Sequence, residues 1–237
     1  MNPYLAEFIG TAILLAFGNG VVANVLLKHS KGNQGGWIVI SFGWAMAVFL
    51  GVLAVSRFSG SHLNPAVTIC LAAAGKFDWT LAPGYILAQT AGAFSGAVIT
   101  WLCYKDHFKA TDDVGTKLGV FSTIPAIRNK VSNLITETVA TAIFLFLVLL
   151  IVAPSNSLGA LDALPVALLV LGVGLSLGGP TGYAINPARD LGPRIAHFLL
   201  PLGKKGSSDW DYAWVPILGP ILGSFIAAFL YRALELS

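Results

Sequence analysis

Gly60-Ser61-His62-Leu63-Asn64-Pro65-Ala66 and Gly182-Tyr183-Ala184-Ile185-Asn186-Pro187-Ala188 share one pattern, a glycine-led run closed by Asn-Pro-Ala. Asn is a favoured helix N-cap, and Pro suits the first helical position, where its missing N–H would have no partner anyway. Each tripeptide therefore predicts a helix start. The helices expected from Asn64 to Gly75 and from Asn186 to near Leu199 are too short to cross a bilayer at ~1.5 Å per residue. The segments leading into them, Ser59–Leu63 and Gly179–Ile185, are too glycine-rich to be regular helix throughout.

Outward from these stretches the chain repeats itself. Ala6-Glu7-Phe8-Ile9-Gly10-Thr11-Ala12-Ile13 is similar to Thr136-Glu137-Thr138-Val139-Ala140-Thr141-Ala142-Ile143, and Gly92-Ala93-Phe94 to Gly223-Ser224-Phe225. Long runs without charge extend over Trp37–Ser56, Trp79–Tyr104, Ala163–Ala188 and Tyr212–Tyr231. Pro3–Leu27 and Val131–Ala153 are interrupted only by Glu7 and Glu137. A spanning helix needs roughly 20 apolar residues, so six spans are expected. Barrel strands are excluded because Ile143–Ile151 is apolar at every position rather than at alternate ones. Composition agrees: 56% of the 237 residues are hydrophobic and only 11% charged, against about 25% charged in soluble domains. A disordered chain, a coiled coil, a disulfide scaffold and a nucleic-acid reader are excluded with it.

Three spans per half is an odd number, so the second half is predicted to lie upside down relative to the first. The expected fold is an all-α membrane protein, six transmembrane helices plus two re-entrant half-helices in an inverted-topology repeat. It forms one channel domain: repeat one 1–104, connecting loop 105–130, repeat two 131–237. Interrupted segments at matching places in two such halves point to a solute path. Non-helical backbone at membrane depth survives only when buried in protein or lining a water-filled cavity. The carbonyls of Gly60, Ser61, His62, Gly182, Tyr183 and Ala184 are then a ladder of acceptors for what passes, and the opposing N–H groups need acceptors of their own. Glu7 and Glu137, the only acids inside spans and at equivalent repeat positions, are read as those scaffold acceptors, with a proton relay as the alternative. His62 is read as a loop histidine presenting its carbonyl, the alternative being a titrating switch.

Other features carry less. Cys70 and Cys103 stand in apolar segments without ligand spacing. Gly174-Leu175-Ser176-Leu177-Gly178 matches a GxSxG nucleophile elbow but lacks the preceding strand. These glycines, Gly92/Gly96 and Gly219/Gly223 instead have the spacing that lets membrane helices approach closely. No catalytic set, metal cluster or cofactor motif is read.

The whole chain resembles the major intrinsic protein family, the aquaporins and glycerol facilitators, in its AEF-type first span, SGSHLNPAVT, AINPARD and twin Asn-Pro-Ala motifs followed by Arg189. The resemblance implies central pore motifs at Asn64, Pro65, Ala66 and Asn186, Pro187, Ala188. It also implies an aromatic/arginine constriction at Trp44, Gly174, Tyr183 and Arg189. Asp190, Arg194, Pro216 and Ile217 resemble the glycerol branch, whereas Tyr183 departs from that branch's usual Phe. The bare Gly174 is expected to leave the room a polyol needs. The implied function is passive diffusion of glycerol, other small neutral solutes and water, with ions and protons excluded. Water-selective channels and, in another class, coupled secondary transporters are the alternatives. A homotetramer in the plasma membrane is implied, with lipid as its other partner and both termini cytoplasmic. Charge bias by itself favours the opposite orientation: loops 28–36, 105–130 and 200–211 hold nine Lys and Arg.

Overall fold

The computed structural model describes residues 1–151 and 157–234. Val152 and Ala153, the end of one expected span, and 235–237, the end of repeat two, lie outside the described residues. Nine α-helices occur among the described residues. They are α1 (Pro3–Leu26), α2 (Gly36–Ser59), α3 (Pro65–Ala73), α4 (Ala82–Ala110), α5 (Val114–Phe121), α6 (Lys130–Leu150), α7 (Leu164–Ser176), α8 (Pro187–Leu199) and α9 (Val215–Ala233). A 3-10 turn, Gly159–Ala163, leads into α7, and with it six helices are long and apolar enough to cross a membrane. The half-helices are α3 and α8.

The ends of the uncharged runs are not the ends of the helices. The uncharged run closing at Tyr104 continues as helix to Ala110 through a kink, where Tyr104 has φ −111° and ψ 17°. Conversely, the uncharged run Ala163–Ala188 is helical only to Ser176 before α8 begins at Pro187. The expected loop 105–130 contains α5, whose N-cap Asp113 accepts from the Thr116 N–H.

The two halves pack by the same scheme. In the first, α1 lies against α2 and α4; in the second, α6 lies against α7 and α9. Across the halves the contacts are reciprocal, α3 on α9, α8 on α4 and α2 on α7. Lipid tails are as apolar as leucine, so membrane helices gain little from burial and associate through close packing. The repeat-related glycines supply it. A Cβ on Gly92 would stand 2.3 Å from the Phe8 carbonyl oxygen and one on Gly96 2.5 Å from that of Ala12. At α6–α9, Gly219 and Gly223 press equally close on Glu137 and Thr138. These are backbone-to-helix contacts that no side chain could occupy. Gly192 fits α8 against α4 in the same way, beside Ala93 and the backbone of Thr90 and Phe94.

Replacing Gly92 with Val should therefore force α1 and α4 apart and destabilise the protein by about 1–3 kcal/mol or more. Gly172→Ala, facing open space on α7, should be neutral or slightly stabilising. Thermal unfolding in detergent, followed by size-exclusion chromatography, measures both.

Candidate functional site

The half-helices meet N-terminus to N-terminus. Asn64 caps α3 through its Oδ1, which accepts from the Ala66 N–H at 2.8 Å; Asn186 caps α8, accepting from the N–H groups of Ala188 and Arg189. Each asparagine then crosses to the other half. Asn64 Nδ2 donates to the Ile185 carbonyl and Asn186 Nδ2 to the Leu63 carbonyl, both at 2.9 Å. An amide nitrogen carries two hydrogens, so one donor on each asparagine remains for a ligand.

The approach segments repeat down to their backbone angles. Gly60, Ser61 and Leu63 have φ of 76°, 51° and 53°; Gly182, Tyr183 and Ile185 have 82°, 38° and 43°. Left-handed backbone is unfavourable for a residue with a Cβ, yet it occurs at matching positions in both halves. The carboxylates hold it there. Glu7 accepts from the N–H groups of His62 and Leu63, the Ser59 hydroxyl and Gln89 Nε2. Glu137 accepts from the N–H groups of Ala184 and Ile185 and the Thr181 hydroxyl. Both acids are buried, and neither lies on the cavity wall.

Between the halves runs a cavity of about 160 Å³ with an apolar and a polar lining. The apolar lining is Leu14, Val48, Val52, Val67, Leu71, Phe144, Val148, Val166 and Val170. The polar lining carries Gly60 to Asn64, Tyr183 to Asn186, and Arg189. Of the expected ladder, Gly60, Ser61, His62, Tyr183 and Ala184 are on the wall. Gly182 is not among them; a Cβ built on it would face Thr123 at 3.5 Å. Pro65, Ala66, Pro187 and Ala188 are buried behind the asparagines. His62 is tied through Nδ1 to the Thr68 hydroxyl and packs on Phe77 and Tyr85.

Trp44 and Arg189 face each other on the wall, with the guanidinium 4.1 Å from the ring centroid. Asp190, next in sequence, does not pair with it. Its carboxylate turns to Arg194 at 2.7 Å, both side chains fully buried, and accepts from the Thr123 N–H and hydroxyl. Among the described residues the Arg189 guanidinium forms no ion pair and no hydrogen bond, and the residue lines the cavity. Pro216 begins α9, where its missing N–H costs nothing, and Ile217 follows it half-buried; neither is on the wall.

Gly174 differs from the expectation. It is buried and off the cavity wall. The space its side chain would take is filled by Tyr183, whose Cζ and hydroxyl lie 2.9 and 3.0 Å from a Cβ built there. The vacancy at 174 admits an aromatic ring, not a polyol. The Tyr183 hydroxyl is buried against Ser41, out of reach of the cavity. Trp37 completes this packing, edge-on to Tyr183, with its Nε1 donating to the Gly174 carbonyl. Gly178, the other glycine of GxSxG, also abuts Tyr183, and Ser176 is exposed.

The connecting loops brace the Arg189 side. Arg194 donates to the carbonyls of Thr123, Ser208 and Asp209. Lys117 donates to those of Leu202 and Lys204, and its burial lowers its pKa. Lys205 reaches the His197, Phe198 and Leu200 carbonyls, placing a cation at the C-terminus of α8. The Lys28 ammonium holds the Asp112 carboxyl below the usual carboxylate range.

Sequence reasoning missed Ser59, Thr181, Gln89, Ser41 and Gly18. Ser59 and Thr181 precede Gly60 and Gly182 at equivalent repeat positions, a signal that could have found them. Gln89 has Pro220 as its repeat counterpart and carries no such signal.

Six apolar helices, two half-helices capped head to head and a cavity of mixed lining between them define an integral membrane protein built around a central path. The chain belongs to the major intrinsic protein family, whose model matches residues 1–231. It is 55% identical over 232 residues to a probable glycerol uptake facilitator protein of Thermotoga maritima, covering 98% of this chain and 99% of that one. It is 51% identical to the glycerol uptake facilitator protein of Bacillus subtilis strain 168, over 98% of this chain and 85% of the relative. Among solved structures, it resembles the aquaglyceroporin from Plasmodium falciparum with a TM-score of 0.84 and 32% identity, covering 99% of this chain and 98% of that one.

Glu137→Ala orphans one hydroxyl and two backbone donors, at about 1–3 kcal/mol for each donor left buried and unsatisfied. Expression and thermal stability should fall together with solute flux. A fully stable variant altered only in its pH response would instead support a proton relay. Tyr183→Phe removes a hydroxyl that no solute reaches, so the ratio of glycerol to water permeability should stay within about twofold of wild type, far below what loss of a solute hydrogen bond produces.

Proposed function

We propose that this protein is a channel, not an enzyme, for passive diffusion of glycerol, other small neutral solutes and water. The observation that carries this reading is the mixed lining of the cavity, polar through Asn64, Asn186, Arg189 and backbone carbonyls and apolar through valines, leucines and Trp44. Glycerol is mixed as well, with hydroxyls along one edge and C–H groups along the other. A hydroxyl stripped of water and left unpaired costs several kcal/mol; here each can exchange water for a carbonyl, an amide or the guanidinium. The carbon chain meets the apolar lining.

Ions are excluded by the same parts. Each half-helix N-terminus carries roughly half a positive charge, and Arg189 adds another positive charge beside them, while Asp190 forms its ion pair with Arg194. Cations and protons meet a positive barrier, and anions find too few donors to replace their water. The names of the relatives, uptake facilitators, support a place in the plasma membrane. The resemblance supports cytoplasmic termini, a homotetramer with a pore in each protomer, and one channel domain of repeats 1–104 and 131–237. Native mass spectrometry in mild detergent and a C-terminal topology reporter test assembly and orientation.

Stopped-flow light scattering of reconstituted vesicles tests the activity. Glycerol flux should rise without saturation and need no ion gradient; strict dependence on a gradient would make the protein a carrier. Gly174→His must evict the Tyr183 ring toward the cavity, so glycerol permeability should drop about tenfold or more while water is less affected. Glycerol flux unchanged within about twofold would exclude the Gly174–Tyr183 packing as part of the constriction.

A further inference from the structure

Gly18 lies in α1 behind Trp44, outside the cavity wall. A Cβ built on it would stand 2.2 Å from the indole Cζ3 and 2.5 Å from both Cε3 and Cη2. Nearly equal distances to three consecutive ring atoms describe an approach onto the face of the ring, not its edge. The α1 backbone is thus in direct contact with the six-membered ring of Trp44, which is itself only 3% exposed. Glycine inside a helix is unfavourable relative to alanine, and Gly20, two residues on, has nothing within 4 Å of its Cβ position. The contact at 18 is therefore particular to that position.

The ring cannot easily be relieved by moving the helices apart. One turn away, Gly43 of α2 is pressed on Val21 of α1, and further along Gly51 meets the Gly10 carbonyl. Both crossings are already closer than any side chain allows. A methyl at 18 therefore displaces the indole away from α1, toward the cavity it lines and the guanidinium stacked on it at 4.1 Å.

We infer that Gly18 is a positioning residue for solute size: it lets Trp44 lie back against α1, and so sets how wide the channel is between Trp44 and the polar wall. The inference rests on the proposed glycerol channel. A bulkier residue at 18 narrows the opening against a three-carbon polyol before it narrows it against water.

The test measures glycerol and water permeabilities of reconstituted vesicles carrying wild type, Gly18→Ala, Gly20→Ala, Trp44→Phe and the double variant Gly18→Ala/Trp44→Phe. Gly18→Ala should lower the glycerol-to-water ratio about tenfold, and Gly20→Ala should leave it unchanged. Phenylalanine withdraws the ring atoms that the methyl strikes, so the double variant should match Trp44→Phe alone within about twofold. A Gly18→Ala ratio within about twofold of wild type overturns the inference, as does independent multiplication of the two single effects. If Gly18→Ala alone does not fold, recovery of monodisperse protein by Trp44→Phe in the double variant supports the shared contact, and failure to recover overturns it. Wild type that passes no glycerol above empty vesicles defeats the channel reading and the inference together. Wild-type flux with an unmoved ratio in Gly18→Ala defeats the inference alone.

Discussion

Two buried carboxylates accepting backbone hydrogen bonds are the constraint on which the rest of this structure depends. The segments before Asn64 and Asn186 must leave helical geometry to turn carbonyls toward the cavity, and in doing so they place Ser61, Leu63, Tyr183 and Ile185 at positive φ. Each such residue costs on the order of 1–3 kcal/mol and persists only where its surroundings over-determine it. The turned backbone also leaves N–H groups with no helical partner. A carboxylate at that depth is expensive as well, unless its lone pairs are filled. The three liabilities cancel when assembled: Glu7 takes four donors and Glu137 three, so the charge is solvated by the same backbone that it holds.

The head-to-head asparagines depend on that arrangement. Leu63 and Ile185 can offer their carbonyls across the interface only because their own N–H groups are pinned by the acids. Each half therefore completes the other's N-cap region. Reciprocal contacts of α3 with α9 and of α8 with α4 hold the pair in place, and the glycine crossings bring the helices near enough for the acids to reach.

Charge is divided just as tightly. Arg189, Asp190 and Arg194 lie within six residues, yet they do different things because successive helical positions face different ways. Asp190 and Arg194, four apart, share a face and form a fully buried pair that ties down Thr123 and the 208–209 loop. Arg189 is left on the cavity side, stacked on Trp44 rather than ion-paired among the described residues. The pair binding the loops thus also directs the Asp190 carboxylate to Arg194 instead of to its neighbour Arg189.

Much of this was written in the chain. The duplicated Asn-Pro-Ala motifs, the odd number of spans per half and the twin acids determined the fold, the half-helices and the acceptors for their backbone, because capping, periodicity and the cost of an intramembrane charge are local properties. So was the close packing at Gly92, Gly96, Gly219 and Gly223, which follows from spacing. Side-chain neighbours were not legible. That Tyr183 fills the vacancy at Gly174, that its hydroxyl turns away beside Ser41, that Gln89 joins Glu7 and that Gly18 backs Trp44 depend on residues far apart in the chain, 82 positions apart for Gln89 and Glu7. A missing side chain in a sequence is only a missing volume; which neighbour takes that volume is decided when the helices pack, since a close-packed interior leaves no void for the sequence to mark.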